Sequence, residues 1–94
     1  MNDSHKPLLA TTPDQLAVEI HSYVKGLWEE LLRAPQVNPD EDFFAIGGDS
    51  ALVIEMLVAI SAHFDREFKY NKFFPKPTVR TLTALIVQEL QSQP

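Results

Sequence analysis

Two pairs of prolines, Pro35 with Pro39 and Pro75 with Pro77, divide the chain into stretches whose apolar residues recur every three or four positions. That period is the mark of amphipathic helices, and no run of alternating residues supports a sheet. The first stretch carries Leu16, Ile20, Val24, Leu27 and Leu31 on one stripe, with Tyr23 and Trp28 on its shoulders. Thr12-Pro13-Asp14-Gln15 supplies its start: Thr12 can cap, Pro13 suits the first turn, and Gln15 stands where a capping box requires it. Gly26 weakens this helix by roughly 1 kcal/mol relative to alanine, and Pro35 ends it. A second helix is expected from Ser50 to His63 or Phe64, and a last one capped by Thr78 with Val79, Leu82, Leu85, Ile86 and Leu90 on its apolar face. Between these two, Tyr70, Phe73 and Phe74 predict a short or irregular helix. The expected fold is all-α, a small four-helix bundle of three main helices and one short one, with a long loop between helices 1 and 2.

With 94 residues and 45% hydrophobic content, the chain suffices for one domain with a thin core. That domain is expected at 12–91, between a flexible tail at 1–11 and a second tail at 92–94. The absence of cysteine removes disulfides, thiolate zinc sites and cysteine nucleophiles, so any thiol chemistry must be imported. No apolar stretch is long enough to span a bilayer, and Met1–Thr12 lacks a basic region followed by an apolar core. A cytoplasmic chain without a membrane partner is the expectation. The net charge of −5 argues against nucleic acid as partner. The charge is also uneven. Residues 1–65 hold eleven acids against Lys6, Lys25 and Arg33, while residues 66–94 hold five basic residues against Glu67 and Glu89. Two solvated faces explain this, and so does a polarised surface that steers partners.

Residues 34–49 form a long connection for so small a domain, which requires that it be pinned or functional. Phe43, Phe44 and Ile46 are the expected pins. Asn38, Asp40, Glu41 and Asp42 lack the glycine and distal glutamate of a calcium loop, so the expectation is a capping or solvated acidic turn and no metal.

On the second helix, Val53, Met56, Leu57, Ile60 and Phe64 share the core face. The opposite face carries Ala51, Glu55, Val58 and Ala62, with Ile54 and Ala59 at its margins. So apolar an outer stripe is either buried against another segment or a docking patch. At the helix start stands Gly47-Gly48-Asp49-Ser50. A nucleophilic serine there would need a base in reach, yet His63 lies roughly 20 Å along the helix and the glycine-flanked nucleophile elbow is absent. A phosphate carried on Ser50 fits better. The first turn of a helix offers unpaired N–H groups and partial positive charge, and Gly47 and Gly48 let the backbone turn tightly and leave room for a modifying enzyme. Asp49 suits either an N-cap or a carboxylate that helps place magnesium or a basic partner residue. On spacing alone, the four residues also read as a plain turn and cap.

The run Phe43-Phe44-Ala45-Ile46-Gly47-Gly48-Asp49-Ser50 resembles the attachment motif of peptidyl carrier proteins, the thiolation domains of nonribosomal peptide synthesis. The likeness continues through Val53, Met56-Leu57, Ile60 and Phe64, and again through Phe73-Phe74-Pro75-Lys76-Pro77-Thr78-Val79 and Leu82. It implies a non-catalytic carrier in which Ser50 receives 4′-phosphopantetheine from coenzyme A, with Gly47, Gly48 and Asp49 around the attachment point. A phosphopantetheinyl transferase using Mg2+ would install the group. The terminal thiol would then hold aminoacyl or acyl thioesters for adenylation, condensation or tailoring enzymes. Docking of these partners is expected on Ala51, Leu52, Ile54, Glu55 and Val58 of a monomeric carrier. Ala51 departs from the leucine usual in the family, which trims apolar contact there. The double phenylalanine and paired glycines favour a peptidyl carrier over an acyl carrier of polyketide or fatty-acid synthesis. An unmodified helical adaptor is the alternative of another class. Met1 and the polar tails suit a free-standing carrier, and an excised domain of a larger synthetase would look the same.

Overall fold

The computed structural model describes residues 12–91, without the side chain of Pro13; the tails expected at 1–11 and 92–94 lie outside the described residues. Three helices follow in order, α1 Pro13–Leu32, α2 Ser50–Phe64 and α3 Val79–Gln91, and no strand occurs among the described residues. None of these helices is long and apolar enough to cross a membrane.

The helix ends follow local chemistry. At the start of α1, Gln15 N–H donates to the Thr12 hydroxyl while the Gln15 side chain accepts from Thr12 N–H, closing the capping box. The helix stops at Leu32, where Arg33 turns left-handed with φ 55° and the chain heads out toward Pro35. Asp65 ends α2 in the same way with φ 54°, and Arg66 N–H donates to Ser61 O. The Thr78 hydroxyl accepts from Thr81 N–H and so caps α3.

Ile20, Val24, Val53, Met56, Ile60, Val79, Leu82 and Ile86 are buried where the three helices meet. Leu16, Leu27, Leu31, Leu57, Phe64, Leu85 and Leu90 line the edge of that core, half-buried. Tyr23 ties α1 to α2: its hydroxyl donates to Ala59 O at 3.3 Å, and its ring stacks on His63 at 3.9 Å. Burial, followed by the charge of Glu30, raises the Tyr23 phenol above its usual range.

Trp28 departs from the shoulder position expected of it and is wholly buried. The reason lies in the connections. Phe43 from one and Phe73 from the other pack edge-on against the indole, at 4.7 and 6.3 Å between ring centres. This end of α1 is therefore covered on more sides than a helix–helix contact covers. The stretch expected as a short or irregular helix takes the irregular form. Phe73 N–H donates to Tyr70 O, Lys76 N–H to Phe73 O, and Pro75 and Pro77 withhold the donors a continuing helix needs.

Candidate functional site

The long connection is built as a chain of hydrogen-bonded turns. At its start, the Glu29 carboxylate accepts from Lys25 Nζ at 2.5 Å and from Val37 N–H at 3.0 Å. Those two bonds, Lys25 first, hold its carboxyl below the usual range. Val37 is buried, a pin that a lone valine between two prolines did not advertise. Asn38 then organises the acidic run: Asp40 N–H donates to its side chain and Glu41 N–H to its carbonyl. No group of acids and histidines among the described residues is arranged to hold a metal ion.

Asp42 opens a single helical turn. Its carboxylate accepts from Phe44 N–H at 2.8 Å and Ala45 N–H at 3.2 Å, and its carbonyl accepts from Ile46 N–H. The turn closes when Gly48 N–H reaches Phe43 O at 2.9 Å and Gly47 N–H reaches Phe44 O, the pattern that ends helices around a residue of positive φ. Gly47 is that residue, with φ 114°, a conformation an L side chain rarely adopts. Gly48 is needed for a different reason: a Cβ there would collide with the ring of Phe43. Of the three expected pins, Phe43 is fully buried, Ile46 is half-buried, and Phe44 is 41% exposed, resting edge-on against Phe43. Successive residues of a helical turn point about 100° apart, so burying Phe43 turns Phe44 outward.

Asp49 next caps α2. Its backbone is extended, its carboxylate accepts from Leu52 N–H at 2.9 Å, and its carbonyl accepts from Val53 N–H at 2.9 Å. Of the two roles left open for it, the structure displays capping. Ser50 is the first helical residue and is exposed. Among the described residues, the hydrogen bonds at this helix start use the N–H groups of Leu52 and Val53 and not those of Ser50 or Ala51. An exposed hydroxyl thus stands beside two N–H groups at the positive end of a helix, an arrangement that accommodates a phosphodiester. His63 is at the other end of α2, stacked on Tyr23, where it can do no proton transfer for Ser50.

Along α2, Ala51, Ile54, Glu55 and Val58 are exposed, Ile54 by 62% and Val58 by 63%. The stripe is not covered by another described segment, so burial does not account for its apolar character. Leu52 differs from its expected companions: it is half-buried and packs against the core. A groove of about 860 Å³ runs between α1 and α3, past Ala17, Val18, His21, Ala84 and Val87, and includes no residue of the Gly47–Ser50 segment.

The family model described as "Phosphopantetheine attachment site" matches residues 22–86, well over half of the chain. The chain belongs to the phosphopantetheine attachment family. Similar proteins include the dapdiamide synthesis protein DdaD of Enterobacter agglomerans, 36% identical over 65% of this chain and 11% of its own length. Tyrocidine synthase 3 of Brevibacillus parabrevis is 35% identical over 64% of this chain and 1% of its own length. Polyketide synthase PksN of Bacillus subtilis is 34% identical over 74% of this chain and 1% of its own length. The chain therefore spans only a small part of these relatives. Among solved structures, BlmI, described as a type-II acyl-carrier-protein from Streptomyces verticillus involved in bleomycin biosynthesis, superposes with a TM-score of 0.72 at 26% identity. The match covers 79% of this chain and 89% of that one. A solved complex of the phosphopantetheine transferase Sfp with coenzyme A and a peptidyl carrier protein contains a chain that matches with a TM-score of 0.66 at 21% identity, covering 74% of this chain and 90% of that one. This phosphopantetheine-attachment protein is a carrier domain related to segments of nonribosomal peptide synthetases, such as otaB of Aspergillus niger at 34% identity over 70% of this chain and 4% of its own length, and 4′-phosphopantetheine is its prosthetic group.

Proposed function

We propose that Ser50 is the attachment residue and that the chain works as a peptidyl carrier, itself non-catalytic. The observation that carries this reading is the exposed Ser50 hydroxyl at the N-terminus of α2, beside N–H groups that other described residues leave unused. A phosphopantetheinyl transferase with Mg2+ and coenzyme A is the modifying partner. The Ser50 oxygen forms a phosphate ester while the pyrophosphate link of coenzyme A breaks and its nucleotide half leaves. When bound, the prosthetic group supplies the thiol that this cysteine-free chain lacks, on which aminoacyl groups ride as thioesters. The chain's own residues would do the holding: Asp49 fixes the start of α2, the turn ending at Gly48 sets where the helix begins, and the N–H groups of Ser50 and Ala51 would be available to a phosphate. Ala51, Ile54, Glu55 and Val58 form the surface on which adenylation, condensation or tailoring enzymes dock. We assign this work to the cytoplasm, where a transferase finds coenzyme A, and to the 12–91 domain acting as a monomer.

The similarity to PksN favours a second reading, an acyl carrier of polyketide synthesis. Incubation with coenzyme A, Mg2+ and a broad-range transferase should add the mass of one phosphopantetheine, and Ser50→Ala should abolish the gain. A mass gain that survives Ser50→Ala overturns the assignment. Loading the modified protein with amino acids by an adenylating enzyme, against malonyl groups by an acyltransferase, separates the two readings.

A further inference from the structure

The middle of the long connection is fastened to the first turn of α3. The Arg80 guanidinium donates to Asp40 from Nε at 2.6 Å and from Nη2 at 3.1 Å, a two-pronged pair between residues forty positions apart. The backbone repeats the tie on both sides: Arg80 N–H donates to Pro39 O at 3.1 Å, and Phe43 N–H donates to Pro77 O at 2.8 Å. Phe43 in turn accepts from Gly48 N–H and packs against Gly48, two residues before Ser50.

We propose that Asp40 and Arg80 are positioning residues for the modification of Ser50, holding the connection so that the start of α2 is presented in one geometry. The pair is about two-thirds exposed, with side-chain exposures of 64% for Asp40 and 66% for Arg80. An ion pair that open contributes little to the stability of the whole fold. Its two-pronged geometry, flanked by two backbone bonds, acts instead on the local order of residues 39–48. The restraint reaches Ser50 in steps: from Asp40 along three residues of backbone to Phe43, itself tied to Pro77, from Phe43 to Gly48 through ring and carbonyl, and from Gly48 to the adjoining Asp49 cap. This inference rests on Ser50 being the attachment residue.

The test compares the wild-type protein with Asp40→Ala, Arg80→Ala, the double alanine variant and the exchanged pair Asp40→Arg/Arg80→Asp. Initial rates of modification are measured with a broad-range transferase across a range of carrier concentrations, and amide exchange is followed at Gly47, Gly48 and Ser50. Each single variant should raise KM for the carrier about two- to fivefold, the range an exposed pair supplies, with kcat unchanged. Exchange at Gly48 should quicken, while thermal midpoints fall by no more than about 4–8 °C, the shift that about 1 kcal/mol produces in a domain of this size. The double alanine variant should be no worse than either single one, and the exchanged pair should recover much of the loss. Unchanged KM in the single variants overturns the proposal. So do effects that add in the double variant and are not recovered by exchange, because they mean that each side chain touches the transferase separately. A wild-type protein that gains no mass condemns the attachment reading itself, a distinct result.

Discussion

Gly48 lies against the ring of Phe43 so closely that an added Cβ would overlap Cδ2 and Cε2 and sit 2.7 Å from the Phe43 carbonyl oxygen. Phe43 cannot retreat, because its ring is fully buried against Trp28. Gly48→Ala should therefore lower the unfolding free energy by about 1–3 kcal/mol, the cost of overpacking. Gly47→Ala should cost about 1–2 kcal/mol through its φ alone, since no atom would meet the new methyl. Urea unfolding tells the mechanisms apart. Adding Phe43→Leu should soften the effect of Gly48→Ala and leave that of Gly47→Ala unaltered.

Asp49 is a cap before it is anything else in this fold. Asp49→Ala should remove about 1 kcal/mol, whereas Asp49→Asn, which keeps an oxygen for Leu52 N–H, should cost a few tenths. Thermal unfolding measures both, and an asparagine variant as unstable as the alanine one would show that charge and not capping matters there.

The outer stripe of α2 can be altered without touching the core. Ile54→Asp and Val58→Asp should stay within about 0.5 kcal/mol of wild type with unchanged helical circular dichroism, while loading by a cognate adenylating enzyme falls. Met56→Ala, one position from the stripe in the sequence, should lose about 2–5 kcal/mol because its side chain is fully buried. Leu52→Asp should resemble Met56→Ala in direction, which would remove Leu52 from the docking set.

Acid should weaken the fold through two carboxylates. The Arg80 hydrogen bonds hold the Asp40 carboxyl below its ordinary value, and those from Lys25 and Val37 do the same for Glu29. Because both are depressed in the folded state, the unfolded chain binds more protons as the pH falls. Their contribution is present in full above the ordinary carboxylate range and is lost as the pH falls through the depressed folded-state values. Thermal midpoints between about pH 2 and pH 7 should show a shallow fall, and Glu29→Gln should flatten it more than Asp40→Asn, whose pair is the more exposed.

Much of this protein was legible one residue at a time. Thr12 with Gln15, and Thr78, are signals read from a few neighbours, because a capping bond spans only three residues, whereas Asp49 fitted two roles until the structure displayed its cap. The core faces of α2 and α3 follow from helical period, and the likeness to the phosphopantetheine attachment family was visible in eight consecutive residues. Tertiary packing decided what no local pattern encodes. Trp28 lies deep because Phe43 and Phe73 arrive from connections far along the chain. Of the adjacent rings Phe43 and Phe44, only the fold determines which faces inward. Asp40 meets Arg80 across forty positions, and Val37 is drawn under by Glu29. Helix ends answer to bonds between near neighbours, so sequence suffices for them. Burial and long-range pairing depend on which surfaces the folded chain brings together, and only three-dimensional closure of the loops settles that.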